Sequence, residues 1–189
     1  RSELDELKHR KQNDLLEQDS PFDAVGESPA FRHVCEMLNK ASKSKAAVLL
    51  EGETGVGKEA FAKGLHAGSD RSNQPFVAIN CACIPPELIE AELFGVERGA
   101  FTGATQSKAG KFERADKGTI FLDEVAELSP RAQAALLRVL QEGELERVGG
   151  AQVRKVDVRL VAATNESLAE AVAGGKFRAD LYYRLNTFP

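Results

Sequence analysis

The stretch from Leu49 to Lys63 constrains this chain more than any other. An apolar run ending Leu49-Leu50-Glu51 enters Gly52-Glu53-Thr54-Gly55-Val56-Gly57-Lys58-Glu59, and the helical Ala60-Phe61-Ala62-Lys63 follows. Glycines let the backbone turn so that successive N–H groups face inward. The next helix adds the positive end of its dipole, and Lys58 supplies a point charge for β and γ phosphates. Strand, glycine loop and helix in that order make a polyphosphate cradle rather than a surface turn. The usual pattern closes on Ser or Thr, whose hydroxyl ligates magnesium. Here position 59 is Glu, whose carboxylate can reach a metal directly or through water.

The rest of the chain supplies a sheet for that cradle. Short apolar runs at 46–50, 76–79, 119–122 and 156–163 alternate with helical segments. Ser28-Pro29 opens a helix with Phe31, Val34, Cys35 and Leu38 on one face, which reads as core-facing. Pro85-Pro86 precedes a helix over 87–94, Ser129-Pro130 opens one carrying Leu136, Leu137 and Leu140, and Ser167 with Glu170 makes a capping box. Strands apolar on both faces, alternating with helices, predict an α/β fold with a mostly parallel sheet covered on both sides. Ligands of such sheets bind beyond the carboxyl ends of the strands.

Composition removes other classes. Of 189 residues, 25 Lys and Arg face 29 Asp and Glu, so a net charge of −4 gives no global attraction for a nucleic acid backbone. No window approaches the about 18 consecutive apolar residues of a membrane span, and Arg1-Ser2-Glu3-Leu4-Asp5-Glu6 lacks a signal-peptide core. The expectation is a soluble cytoplasmic protein without membrane contact. Residues 1–20, highly charged with leucines at 4, 7, 15 and 16, read as an exposed linker helix, with a short dimerising coiled coil as the alternative. His33, Cys35, Cys81 and Cys83 are four potential zinc ligands. Residues two apart on a helix point to nearly opposite sides, however, so the three cysteines are read as small buried thiols.

Thr119-Ile120-Phe121-Leu122-Asp123-Glu124 places two carboxylates where a buried strand surfaces beside the cradle. Asp123 suits a hydrated Mg²⁺, and Glu124 suits orienting and deprotonating an attacking water. Cradle plus acidic pair reads as nucleoside triphosphate hydrolysis.

Between them lies Glu92-Leu93-Phe94-Gly95-Val96-Glu97-Arg98-Gly99-Ala100-Phe101-Thr102-Gly103-Ala104. It resembles the signature loop of sigma-54-dependent transcriptional activators, the bacterial enhancer-binding proteins of the AAA+ superfamily. The resemblance runs from about Phe22 to Pro189 and includes Glu59 in the phosphate loop. It implies an ATPase, dependent on ATP and Mg²⁺ and active as a hexameric ring, that remodels the closed complex of sigma-54 and RNA polymerase holoenzyme. Gly99, Ala100, Phe101, Thr102, Gly103 and Ala104 match the loop that docks on sigma-54. An aromatic ring between two glycines is costly to expose and useful as a movable contact.

The remaining roles also come from the resemblance. Asn80 matches a switch residue that holds Glu124, and Asn165 of Thr164-Asn165 matches a sensor of the γ phosphate. Arg178 and Arg184 match arginine fingers acting on the neighbouring subunit's nucleotide. Val25 and Gly26 match the stretch against adenine, and residues 144–150 match a second pore-facing loop. The family pattern continues past Pro189 into a fifth strand, a helical lid and a DNA-reading domain. The expectation is therefore residues 1–20 as linker from a regulatory domain and 21–189 as an incomplete AAA+ domain, with enhancer DNA contacted elsewhere. Two other readings share these residues: a nucleotide-gated interaction module with little turnover, and a ring ATPase acting on another target.

Overall fold

The computed structural model describes residues 28–187; the linker helix expected at 1–20 and the expected adenine contacts Val25 and Gly26 lie outside them. Four parallel strands, β1 (Val48–Glu51), β2 (Phe76–Asn80), β5 (Thr119–Asp123) and β8 (Arg159–Thr164), form one sheet in the order β1-β8-β5-β2. The two central strands explain the continuous apolar runs. All of β8 and nearly all of β5 are buried, so neither face tolerates a polar stripe.

Side chains alternate across the sheet as the strand period demands. Ile120, Leu122, Leu160 and Ala162 join one core, packed by α3 (Pro86–Phe94), α5 (Pro130–Glu142), α6 (Leu168–Ala173) and α7 (Ala179–Leu185). Phe121, Val161 and Ala163 join the other, against α1 (Pro29–Ser42) and α2 (Lys58–Ala67). Ser28 and Ser129 accept hydrogen bonds from the N–H groups three residues on, which fixes where α1 and α5 begin.

Three sequence expectations change. The run at 156–163 is strand only from Arg159, where β8 starts; residues 156–158 connect it to β7 (Val153–Lys155), which forms a hairpin with β6 (Glu144–Glu146). Asp157 breaks the run, because its carboxylate and carbonyl are both held by Arg71. The face of α1 is not wholly core-facing either. Leu38 and Ala41 are buried, but Val34 is exposed, and Phe31 and Val34 line an open cavity of about 660 Å³ that reaches Val56 and Gly57 of the phosphate loop. Finally, only Cys81 of the three thiols is buried; Cys35 is half-buried and Cys83 exposed.

A second two-stranded piece pairs β3 (Gly95–Val96) with β4 (Lys108–Ala109), and α4 (Lys111–Arg114) follows it. Among the described residues no helix is long and apolar enough to cross a membrane.

Candidate active site

Strand register brings the predicted residues to one edge. Glu51 lies opposite Thr164 and Asn80 opposite Asp123, so the four main strands end side by side. The glycine loop starts at this edge, where the Gly52 N–H donates to the Thr164 carbonyl at 3.1 Å. Gly57 caps α2 with φ of +90°, a left-handed conformation that a side chain would strain, and the space above Gly55 and Gly57 is open. Lys58 is buried, and its ammonium donates to the carbonyls of Gly52 at 2.7 Å and Glu53 at 3.2 Å. Thr54, Val56 and Glu53 stand exposed around the loop. Glu59 points away from this focus in its bonding: its carboxylate pairs with Lys63 at 2.9 Å, one turn along the exposed face of α2.

The acidic pair sits against the lysine. Glu124 Oε1 lies 4.0 Å from Lys58 Nζ, and Glu124 itself holds φ of +53°, which is uncommon for a residue with a side chain and typical of functional turns. Asn165 joins both halves: its backbone N–H donates to Glu124 Oε2 at 3.1 Å, and its side-chain amide donates to Thr54 Oγ1 at 3.3 Å. Asn80 does not hold Glu124. Its amide donates to Asp123 Oδ2 at 3.1 Å, because strand pairing puts those two residues directly abreast, while its Oδ1 accepts from Ala82 N–H. Burial, and after it the charges of Asp123, Glu124 and Glu127, push the Cys81 thiol up to about 12. That thiol stays protonated at neutral pH and registers the carboxylates gathered beside it.

Residues 97–107 form the loop between β3 and β4. Phe101 is 42 % exposed at its tip, with Thr102 and Gly103 also exposed and Ala100 and Ala104 half-buried. The turn closes through Gly99 N–H to the Ala104 carbonyl at 2.8 Å and Ala104 N–H to the Phe101 carbonyl at 3.0 Å. Its base is rigid. Gly95 and Gly110 meet backbone to backbone, where a Cβ on either would collide, and Phe94 stacks on Phe112 with centroids 5.4 Å apart.

The segment at 144–150, expected as a second loop, is partly strand β6, and its turn braces the first loop. Val148 N–H donates to Gly95, and Glu97 N–H donates back to Val148. Arg147 reaches Glu113 at 2.7 Å and Glu97 at 3.2 Å. Bonds from Ser107 and Arg147 hold the Glu97 carboxyl below its usual range, and a bond from Arg147 does the same for Glu113. Sequence reasoning missed this network. Glu144 and Glu146 pair nearby with Arg138, but the partners of Arg147, Glu113 and Glu97, lie 34 and 50 residues away.

Both arginines lie on α7 or its cap. Arg178 grips Asp180 with two bonds of 3.0 and 2.7 Å on the surface, and those bonds raise its already high pKa. Arg184, at the other end of the helix, donates to the Leu140 carbonyl at 3.0 Å. Neither approaches the cradle of its own chain through any hydrogen bond among the described residues.

This site fits a nucleoside triphosphate on its own geometry: an open glycine loop, a buried ammonium bonded chiefly to loop carbonyls, and a helix of 10 residues opening at Gly57. It fits Mg²⁺ at Asp123, an oxygen donor at the strand end, and less well at Glu59, which would first have to leave Lys63. A parallel α/β sheet edged with these groups, its glycine loop leading into α2, has the arrangement of a P-loop nucleotide-binding core.

The comparisons give the particular family. The sigma-54 interaction domain matches residues 24–189. The chain is 70 % identical to the phenol regulator MopR of Acinetobacter guillouiae, over all of this chain and 34 % of that protein, so it spans about a third of the relative's length. NtrX from Brucella abortus, solved in complex with ADP, superposes with a TM-score of 0.81 at 36 % identity, covering 98 % of this chain and 40 % of NtrX. The P-loop NTPase domain of an E. coli sigma-54 activator, at 22 % identity and a TM-score of 0.60 over 87 % of this chain and 94 % of that one, shares the fold. The chain belongs to the sigma-54 interaction domain family.

Proposed function

We propose that this chain is the ATP-hydrolysing core of a cytoplasmic sigma-54-dependent transcriptional activator. The observation that carries the reading is the Asn165 bridge from Thr54 to Glu124, which joins phosphate loop and acidic pair in a single site. In this reading Lys58 and the loop N–H groups, Gly52 through Glu59, bind the phosphates, and Asn165 orients Glu124. The Glu124 carboxylate takes a proton from a water as the water oxygen forms a bond to the γ phosphorus and the bond to the ADP oxygen breaks. Asp123 would hold Mg²⁺, which when bound would supply charge neutralisation for the phosphates.

Assembly completes the site. Arg178 and Arg184 make no hydrogen bond to their own cradle among the described residues and would act on a neighbour's nucleotide in a hexameric ring, where such fingers contribute about 10³–10⁵ in rate. Val25 and Gly26 are assigned to the adenine side. Asn80, bonded to Asp123, senses the state of the acidic strand end. Residues Gly99 to Ala104, with Phe101 and Thr102 foremost, contact sigma-54, and turnover drives the closed complex of RNA polymerase holoenzyme toward an open promoter. Enhancer DNA is contacted by a domain outside this chain.

The test is capture of sigma-54 by the full-length protein with an ATP transition-state analogue. Phe101→Ala is expected to lose capture while keeping ATP hydrolysis within about threefold, since the ring lies outside the acidic edge. Parallel loss of both activities would remove the docking role from the loop.

A further inference from the structure

One buried polar group has no part in the chemistry above. Gln133 lies on the core face of α5, beside Ala132 and Leu136, and is 1 % exposed. A buried amide is unfavourable unless its donors and acceptor are all met, and those of Gln133 are met by backbone groups of two separate segments. Its Nε2 donates to the Leu128 carbonyl at 2.8 Å and to the Lys176 carbonyl at 3.1 Å, and its Oε1 accepts from the Arg178 N–H at 2.9 Å.

Both segments matter. Leu128 ends the short 3-10 turn Val125–Glu127 that begins directly at Glu124. Lys176 and Arg178 flank the buried Phe177, and Arg178 is the cap residue of α7. Arg178 therefore has an anchored root and an exposed head: its backbone is tied to α5, while its guanidinium stays at the surface on Asp180. An apolar side chain of similar size could fill the same volume but could bind none of the three backbone groups.

We infer that Gln133 is a positioning residue for the arginine finger, fixing the backbone from which Arg178 reaches the neighbouring subunit's nucleotide. This rests on the reading of Arg178 as a finger in trans. A misplacement on the order of 1 Å in such a group lowers turnover by about 10²-fold, so root anchoring is worth a large share of the finger's effect.

The experiment measures ATP turnover by full-length protein in mixed rings. Gln133→Met alone is expected to hydrolyse about 10–100-fold more slowly. Mixing with Lys58→Ala, which has a dead cradle and a sound finger, is expected to restore turnover, whereas mixing with Arg178→Ala is not. Gln133→Leu, which likewise binds none of the three backbone groups, replaces Met in the mixing arm if the Met protein does not fold. Normal turnover by Gln133→Met, or failure of Lys58→Ala to restore it, would overturn the positioning role. Failure of Lys58→Ala to restore Arg178→Ala would instead overturn the trans finger itself, leaving the two failures distinguishable.

Discussion

Both ends of the central sheet carry charged and polar side chains, and they use them in opposite ways. At the amino end Arg71 binds the carbonyls of Gly118 and Asp157, and Arg159, fully buried, binds those of Ala41, Ser42 and Leu65. These are fixed backbone partners at the ends of helices and strands, and nothing else can take their place. At the carboxyl end half-buried Asn80, Asp123 and Glu124 and exposed Asn165 bond one another across the strand ends, and Glu124 keeps a left-handed backbone. Those bonds can be exchanged for a ligand's. One end of the sheet uses charge to hold the fold together, and the other holds charge ready for chemistry.

Substitutions should separate the two ends. Lys58→Ala removes the ammonium from the cradle and is expected to weaken ATP binding by at least about 10²-fold while moving Tm by only a few degrees, because a buried charge disappears along with its bonds. Parallel titration and thermal melts check this; a large fall in Tm would place Lys58 with the structural group. Arg159→Leu should behave in the reverse way. It leaves three helix-end carbonyls without their donor and is expected to cost about 2–3 kcal/mol, a Tm lower by roughly 5–10 °C, with ATP affinity little changed in the protein that remains folded.

The smallest effect concerns His66, whose ring lies 2.9 Å from the Thr119 hydroxyl at the amino end. Burial, aided by the nearby Arg159 charge and opposed by a backbone bond near Gln74, holds its pKa below the ordinary value. The unfolded chain therefore takes up a proton near pH 6.5, before the folded one does. Stability from this group is intact above that pH and declines as the solution is acidified from about 6.5 toward the lower folded value. Melts from pH 7.5 to 5.5 should show a fall that is shallower in His66→Gln; an unchanged slope would show that another group is responsible.

Much of the carboxyl end was legible in the sequence because its elements are local. The Gly52–Glu59 loop and the Asp123-Glu124 pair each announce themselves within a few residues, as the Gly99–Ala104 loop does on its separate two-stranded sheet, and the doubly buried strands β5 and β8 read as unbroken apolar runs. What escaped depends on distant partners. Arg71 interrupts the apolar run at Asp157 from 86 residues away. Parallel register, which no local pattern encodes, gave Asn80 to Asp123 instead of Glu124. The apolar face of α1 could be read, but not that part of it opens onto a cavity. Gln133 was not singled out, because its partners Leu128, Lys176 and Arg178 come together only in the fold.

In the proposed function, hydrolysis at Glu124 drives the Phe101 loop against sigma-54. The most direct measurement is promoter opening by the full-length protein carrying Glu124→Ala, alongside its ATP turnover. Turnover is expected to fall by about 10²–10⁴-fold, with open complexes falling in step and ATP binding retained. Open complexes forming at the normal rate without turnover would contradict the account.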